Sequence, residues 1–317
     1  MNTKKRIINI SISIVTILIV LVIFEITIRL IYGNHLAYDV DKELYWKLKP
    51  DQRGYQILGF SKATINSQGF RGEELEDKSF NIFMLGGSYT FGQDVEDNET
   101  FPHLLGKRLE IYENTQVINL GVPGWGLFQE NITLHRNYET YKPRLVILTL
   151  TEPDFVKLKF DDKTKEKEYL TRAEIRTYFR EISFLSFLKQ KIGFIFATNF
   201  GATENYVRGV STEVLWPKNM VELDSIYNFT MERNITFVLV MYPKLEADNK
   251  KFYNLVMNYT EDKQIILIND LDLKFNAFKP EKLMVEGKGH PSPLAHEIVA
   301  ERIFSELENR GIINEIE

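Results

Sequence analysis

Three short stretches carry residue types that could cooperate in acyl transfer. The first is Asn-Ile-Phe-Met-Leu-Gly-Gly-Ser-Tyr-Thr-Phe-Gly, residues 81–92. An apolar run from Phe80 to Leu85 has the character of a buried strand. Gly86 and Gly87 break it and permit a sharp turn. Ser88 then stands at the carboxyl end of the strand, where open α/β sheets bind ligands. A serine there is a nucleophile if a base reaches it; otherwise the stretch is a Gly-Gly-Ser turn without chemistry. The second stretch, Asn119-Leu120-Gly121-Val122-Pro123-Gly124-Trp125-Gly126, also ends a strand. The backbone N–H of Gly121 could face a reacting carbonyl oxygen, as the donors of an oxyanion hole do. The third is Gly289-His290-Pro291-Ser292-Pro293. Its prolines stiffen the backbone around His290, a candidate general base. His296 reads as a structural helix-start residue, and His35, His103 and His135 have no supporting context.

The elements that must position these residues alternate. Apolar runs at Phe80–Leu85, Gln116–Val122, Arg144–Leu150, Thr236–Tyr242 and Gln264–Ile268 lack clean alternation, as strands covered on both faces do. Helical patterns fall at Thr100–Asn114, Leu127–Tyr141, Asn219–Asn234, Lys250–Tyr259 and Pro293–Asn309. Five strands alternating with helices predict a three-layer α/β/α domain with a parallel sheet. Residues 155–216 are too long for a simple crossover. They predict a helical insertion, with a charged run at Lys157–Glu168 and an aromatic helix over Ile182–Ala197 that reads as core packing. Upstream, residues 33–79 are too aromatic for a flexible tether and are expected to pack on the domain. Within them, Tyr45–Pro50 reads as an extended piece and Asn66–Arg71 as a turn.

The N-terminus sets the location. From Ile7 to Phe24 the chain is nearly all Ile, Val and Leu, interrupted only by Asn9, Ser11, Ser13 and Thr16. With Ile26, Ile28, Leu30 and Ile31 the run reaches the ~20 residues a bilayer span requires. No small-residue cleavage site follows, so residues 1–32 read as a cytoplasmic tip and a permanent membrane anchor. Lys4, Lys5 and Arg6 place the tip inside and the domain over residues 80–312 outside. Glu25 and Arg29 can pair at i, i+4. Asn-X-Ser/Thr sequences at Asn98, Asn131, Asn228, Asn234 and Asn258 would be open to glycosylation on an exported domain. The chain of 317 residues has no cysteine, which excludes disulfides, thiolate catalysis and cysteine-ligated zinc. A net charge of −5 gives no reason to expect a nucleic acid partner. No histidine and carboxylate cluster has ligand spacing, so no metal or cofactor is expected.

Taken together, Leu85–Gly92, Asn119–Gly124 and Gly289–Ser292 resemble three blocks of the SGNH/GDSL hydrolase superfamily, in order and spacing, across residues 80–310. Asn66-Ser67-Gln68-Gly69-Phe70-Arg71 is similar to a lead-in seen in membrane-anchored members. The resemblance implies a flavodoxin-like sheet and serine-ester chemistry. It implies Ser88 as nucleophile, His290 as general base, and the N–H groups of Ser88 and Gly121 as oxyanion donors. There are departures. Gly87 replaces the aspartate of the first block. Pro153, in Thr151-Glu152-Pro153-Asp154, stands where an asparagine donor would be. Gly287 replaces the aspartate three residues before the histidine, which leaves Glu286 as the carboxylate that could orient His290. The expected activity is a membrane-anchored esterase or deacylase acting on an O-acylated surface glycan or a lipid-linked sugar. An O-acyltransferase using the same serine, and a catalytically inactive glycan-binding protein, are the alternatives.

Overall fold

The computed structural model describes residues 3–32, 34–56, 61–112, 114–155, 163–164, 166–171, 212–243, 250–287 and 289–315. The helix expected over Ile182–Ala197, and most of the charged run before it, lie outside these residues.

Five parallel strands form the central sheet. They are β6 (Phe80–Leu85), β7 (Thr115–Asn119), β8 (Leu145–Leu150), β9 (Thr236–Met241) and β10 (Ile266–Ile268), in the spatial order β10-β9-β8-β6-β7. Renumbered from β6, this is the flavodoxin-like order, with its switch point where the chain first leaves β6. Each middle strand is buried on both faces, and its alternate residues divide between two cores. Phe80, Ile82 and Met84 of β6 join a core with Leu145, Ile147, Val238 and Val240. Phe83 and Leu85 face the other core with Val146, Leu148, Phe237 and Leu239. This is why these strands read as unbroken apolar runs: neither face meets water.

Helices α3 (Phe101–Leu109) and α9 (Pro293–Asn309) cover the first face, with the short α7 (Leu271–Phe275) and α8 (Pro280–Leu283) beside them. Helices α4 (Leu127–Tyr141), α5 (Thr212–Glu232) and α6 (Lys250–Thr260) cover the second. The fold is therefore three-layered, α/β/α, as expected. The N-terminus of α3 is set by Thr100, whose hydroxyl accepts from His103 N–H at 3.3 Å, with Pro102 in the first turn. Ser292 does the same for α9, accepting from Ala295 N–H at 3.3 Å ahead of Pro293.

The lead-in is more ordered than its sequence suggests. It makes five short strands, β1 (Asn34–His35), β2 (Tyr38–Asp41), β3 (Tyr45–Leu48), β4 (Gln52–Tyr55) and β5 (Lys62–Ile65). β2 and β3 form a hairpin, and β4 pairs with β1 and β5. Their apolar side chains, Leu36, Tyr38, Leu48 and Ile65 among them, build a third core against Phe91, Val122 and Trp125. Those three residues belong to the loops at the carboxyl ends of β6 and β7. Helix α1 (Thr3–Tyr32) precedes the lead-in; Thr3–Leu30 has a mean hydropathy of 3.0 over its most apolar window and is long and apolar enough to cross a membrane. Glu25 and Arg29 pair at 2.5 Å.

Candidate active site

The serine turn opens on Gly86, where there is no room for a side chain. Gly86 has φ +151, and a Cβ there would lie 2.1 Å from Thr90 Oγ1. Ser88 opens the four-residue helix α2 (Ser88–Phe91), which Gly92 ends in the left-handed region with φ +84. The Gly92 N–H donates back to Ser88 O at 3.0 Å and Tyr89 O at 3.1 Å. As the first residue of a helix, Ser88 has no carbonyl a turn behind it for its N–H to meet. Its side chain is half-buried at the end of the sheet, while Thr90 and Phe91 are fully buried.

His290 lies beside this turn. Its loop closes on itself as a small hairpin: Val285 N–H donates to His290 O at 2.8 Å, and Ser292 N–H donates to Leu283 O at 2.9 Å. Tyr89, the neighbour of Ser88, donates its hydroxyl to Gly289 O at 3.4 Å and sets its ring 6.1 Å from the imidazole. Burial, with the Asp154 charge added, pushes the Tyr89 phenol up to about 12, so it stays a donor. His290 Nδ1 meets Asp94 Oδ2 at 2.7 Å. With a carboxylate on Nδ1, the proton sits there and Nε2 presents its lone pair. Ser88 Oγ and His290 Nε2 carry no hydrogen bond, to each other or to another group, among the described residues. Such contacts often tighten only around a substrate.

Asp94 is the residue that the sequence reading missed. It is six positions after Ser88, its side chain is 1% exposed, and its backbone sits at φ +71. The carboxylate assigned to this role from sequence, Glu286, is exposed on the turn before His290 and makes no bond to the imidazole. The physical reason is local. His290 O is already taken by Val285, and the hairpin that this bond closes carries Glu286 on its outer bend. The available signal was a lone acid between Gly92 and Val95, in the same loop as the nucleophile candidate.

The glycine loop also differs from expectation. Gly121 N–H donates to Asn119 Oδ1 at 3.0 Å, so it is engaged. Its lack of a side chain has another use: a Cβ there would lie 2.3 Å from Phe91 N, so only glycine lets this loop touch α2. Val122 N–H then donates to Gly86 O at 3.3 Å, which ties the loop to the serine turn. Two residues on, Gly124 is exposed, has φ +87, and its N–H has no partner among the described residues. It is the donor left available in this loop. At the end of β8, Pro153 has no N–H to offer. Asp154 is turned inward, accepting from Thr151 N at 2.7 Å and Thr151 Oγ1 at 2.6 Å. His296 is fully buried and stacked on Phe101, and its Nδ1 accepts from Phe101 N–H at 3.2 Å. Burial first, then the charges of Arg71 and His290, lower it to about 3. It is therefore a neutral core residue. Among the described residues no group of three or more His, Asp and Glu side chains converges as metal ligands would.

No protein-family model matches the sequence, and no curated protein matches it. Solved structures do. The chain is similar to the psychrotrophic esterase EstA from Pseudoalteromonas sp., at 15% identity over 73% of this chain and 97% of that one, with a TM-score of 0.47. It is similar to a GDSL-like lipase from Bacteroides thetaiotaomicron, at 12% identity over 75% and 92%, with a TM-score of 0.41. A lipase/acylhydrolase from Enterococcus faecalis shares 13% identity over 73% and 96%, with a TM-score of 0.40.

Proposed function

We propose that the protein is a membrane-anchored serine esterase. In this reading Ser88 Oγ gives its proton to His290 Nε2 and attacks the carbonyl carbon of an O-acyl ester. The N–H groups of Ser88 and Gly124 steady the oxyanion. Asp94 holds the imidazole in its tautomer and stabilises the imidazolium that forms. The imidazolium protonates the leaving alkoxide, which departs as an alcohol. Water, deprotonated by His290, attacks the acyl-enzyme, and a carboxylic acid leaves with Ser88 restored. No metal or cofactor takes part.

The observation that carries the reading is the His290–Asp94 contact at 2.7 Å beside the serine turn. A base oriented by a buried carboxylate, next to a nucleophile on a strand-to-helix turn, is an acyl-transfer arrangement recognised by geometry rather than by sequence order. Location supports the substrate class. α1 would anchor the chain, Lys4, Lys5 and Arg6 would keep its tip in the cytoplasm, and the domain would face O-acylated surface glycans or lipid-linked sugars.

Full-length protein in detergent is treated with a fluorophosphonate probe and assayed on an aryl acetate. Labelling and turnover are expected in the wild type and absent in Ser88→Ala; their persistence in Ser88→Ala overturns the reading. Label moving from an acyl donor to a glycan hydroxyl, in place of free acid, would assign the same acyl-enzyme to an O-acyltransferase.

A further inference from the structure

The turn before Arg71 is locked from within. Asn66 Oδ1 accepts from Gln68 N–H at 3.2 Å and Phe70 N–H at 2.9 Å, and Asn66 Nδ2 donates to Glu73 O at 2.9 Å. Gly69 supplies the left-handed corner, with φ +86. The backbone of Arg71 then bridges Ile65 of β5 and Asn119 of β7, and its side chain, 1% exposed, runs under the serine turn. The guanidinium donates to Phe91 O at 2.9 Å, to Gly92 O, and to Val95 O at 2.8 Å, with a longer bond to Lys62 O at 3.4 Å. Asp97 supplies the countercharge at 2.9 Å, and the Phe91 ring lies 4.7 Å from the guanidinium carbon.

Three of those carbonyls flank Asp94 on both sides. Asp94 itself occupies a left-handed conformation that a non-glycine residue holds only when its surroundings over-determine it. Gly92 leaves room for the same guanidinium: a Cβ there would lie 2.3 Å from Thr100 Cγ2 and 3.1 Å from Arg71 Nη1. Gln56 of the lead-in adds a second grip, accepting from Asp94 N–H at 2.7 Å and donating to Val95 O at 2.8 Å. A lysine could not reproduce this fork of donors. A buried guanidinium is costly unless its hydrogen bonds are made; here all but the long one to Lys62 O go to one loop, the one that joins Ser88 to Asp94.

We propose that Arg71 is a positioning residue for the reaction: it clamps residues 91–97 so that Asp94 meets His290 Nδ1. The lead-in between membrane helix and domain is then part of the catalytic apparatus. This rests on the serine-esterase reading, and the experiment separates the two. Ester hydrolysis is measured for wild type, Arg71→Lys, Asp94→Asn and the double variant, with Ser88→Ala alongside. Displacing an orienting group by an ångström can cost about 10²-fold. Arg71→Lys is expected to lower kcat about 10–100-fold, with KM held within about twofold. In the Asp94→Asn background it should cost less than about threefold, because the group it acts through is gone. The same fold-loss in both backgrounds, or unchanged kcat in Arg71→Lys, overturns the proposal. Turnover that survives in Ser88→Ala instead overturns the esterase reading beneath it. If Arg71→Lys does not melt cooperatively, Asp97→Asn replaces it, with an expected loss of about 3–10-fold and the same non-additivity; additive loss there is equally fatal.

Discussion

The two loops that bring acid and base together are built on opposite plans. The loop over residues 86–97 is held from every side: by Arg71 on three of its carbonyls, by Gln56 on Asp94 and Val95, and by Val122 on Gly86. The loop over residues 284–291 is a hairpin closed mainly on itself, with Gly287 at φ +65 and Gly289 at φ +72. A Cβ on either glycine would meet nothing within 4 Å. Across loops so different, the His290 imidazole finds its partner on the more heavily bonded one. His290 reaches 196 positions back to Asp94, while Glu286, four positions away, stays in solvent. Nearness along the chain is a poor guide to a partner: Glu286 shares the hairpin with His290, yet the bend of that hairpin leaves it exposed.

That contrast can be broken or sharpened by substitution. Ser88→Ala should remove the proposed nucleophile and lower kcat on an aryl acetate by about 10⁴-fold or more, with the thermal midpoint little changed. Asp94→Asn should lower kcat by about 10²–10⁴-fold, because an amide no longer fixes the tautomer. Glu286→Gln on the hairpin should leave kcat within about twofold, and a large effect there would reverse the comparison. Gly124→Ala should lower kcat about 10–100-fold by displacing the proposed oxyanion donor. Its φ of +87 is strained for alanine, and its Cβ would lie 3.0 Å from Trp46 Cζ2.

His296 lies fully buried in α9, six residues after His290. Its folded value of about 3 lies below the unfolded 6.5. The unfolded chain therefore binds more protons between those values, and stability from this group, complete above about pH 6.5, declines as pH falls toward 3. The expected slope is about 1.4 kcal/mol per pH unit at its steepest. Denaturant melts from pH 7 to 4.5 should show this slope, and His296→Phe should flatten it. Smallest is Ser292→Ala, which removes the α9 cap and the bond from Ser292 Oγ to Lys282 O at 2.6 Å. About 1 kcal/mol of stability should be lost, read by the same melts.

Much of this was visible in the order of residues. The buried strands announced themselves because two-sided burial leaves no polar alternation, and Gly86-Gly87-Ser88 marked the turn because a positive φ and the Thr90 side chain leave only glycine at Gly86. His290 was legible because Pro291 and Pro293 follow it and restrict the backbone. Asp94 was not: its role depends on a contact across most of the chain, and a single acid in a loop has no periodicity to detect. Gly121 was read as a donor because glycines end strands at such sites. Its N–H is consumed by Asn119, and its small size serves the approach to Phe91. Of the lead-in strands, β3 was legible as the extended Tyr45–Pro50 piece, and the others were hidden by their length and by polar residues such as Asp39 and Asp41. They are held by pairing and by the third core more than by their own pattern.

The most direct test of the central claim is the rate of fluorophosphonate adduct formation, followed by intact mass and peptide mapping, in wild type, Asp94→Asn and Glu286→Gln. The account expects one adduct, on Ser88, forming about 10²-fold or more slowly in Asp94→Asn and at the wild-type rate in Glu286→Gln. An adduct on another residue, or equal rates in wild type and Asp94→Asn, would contradict it.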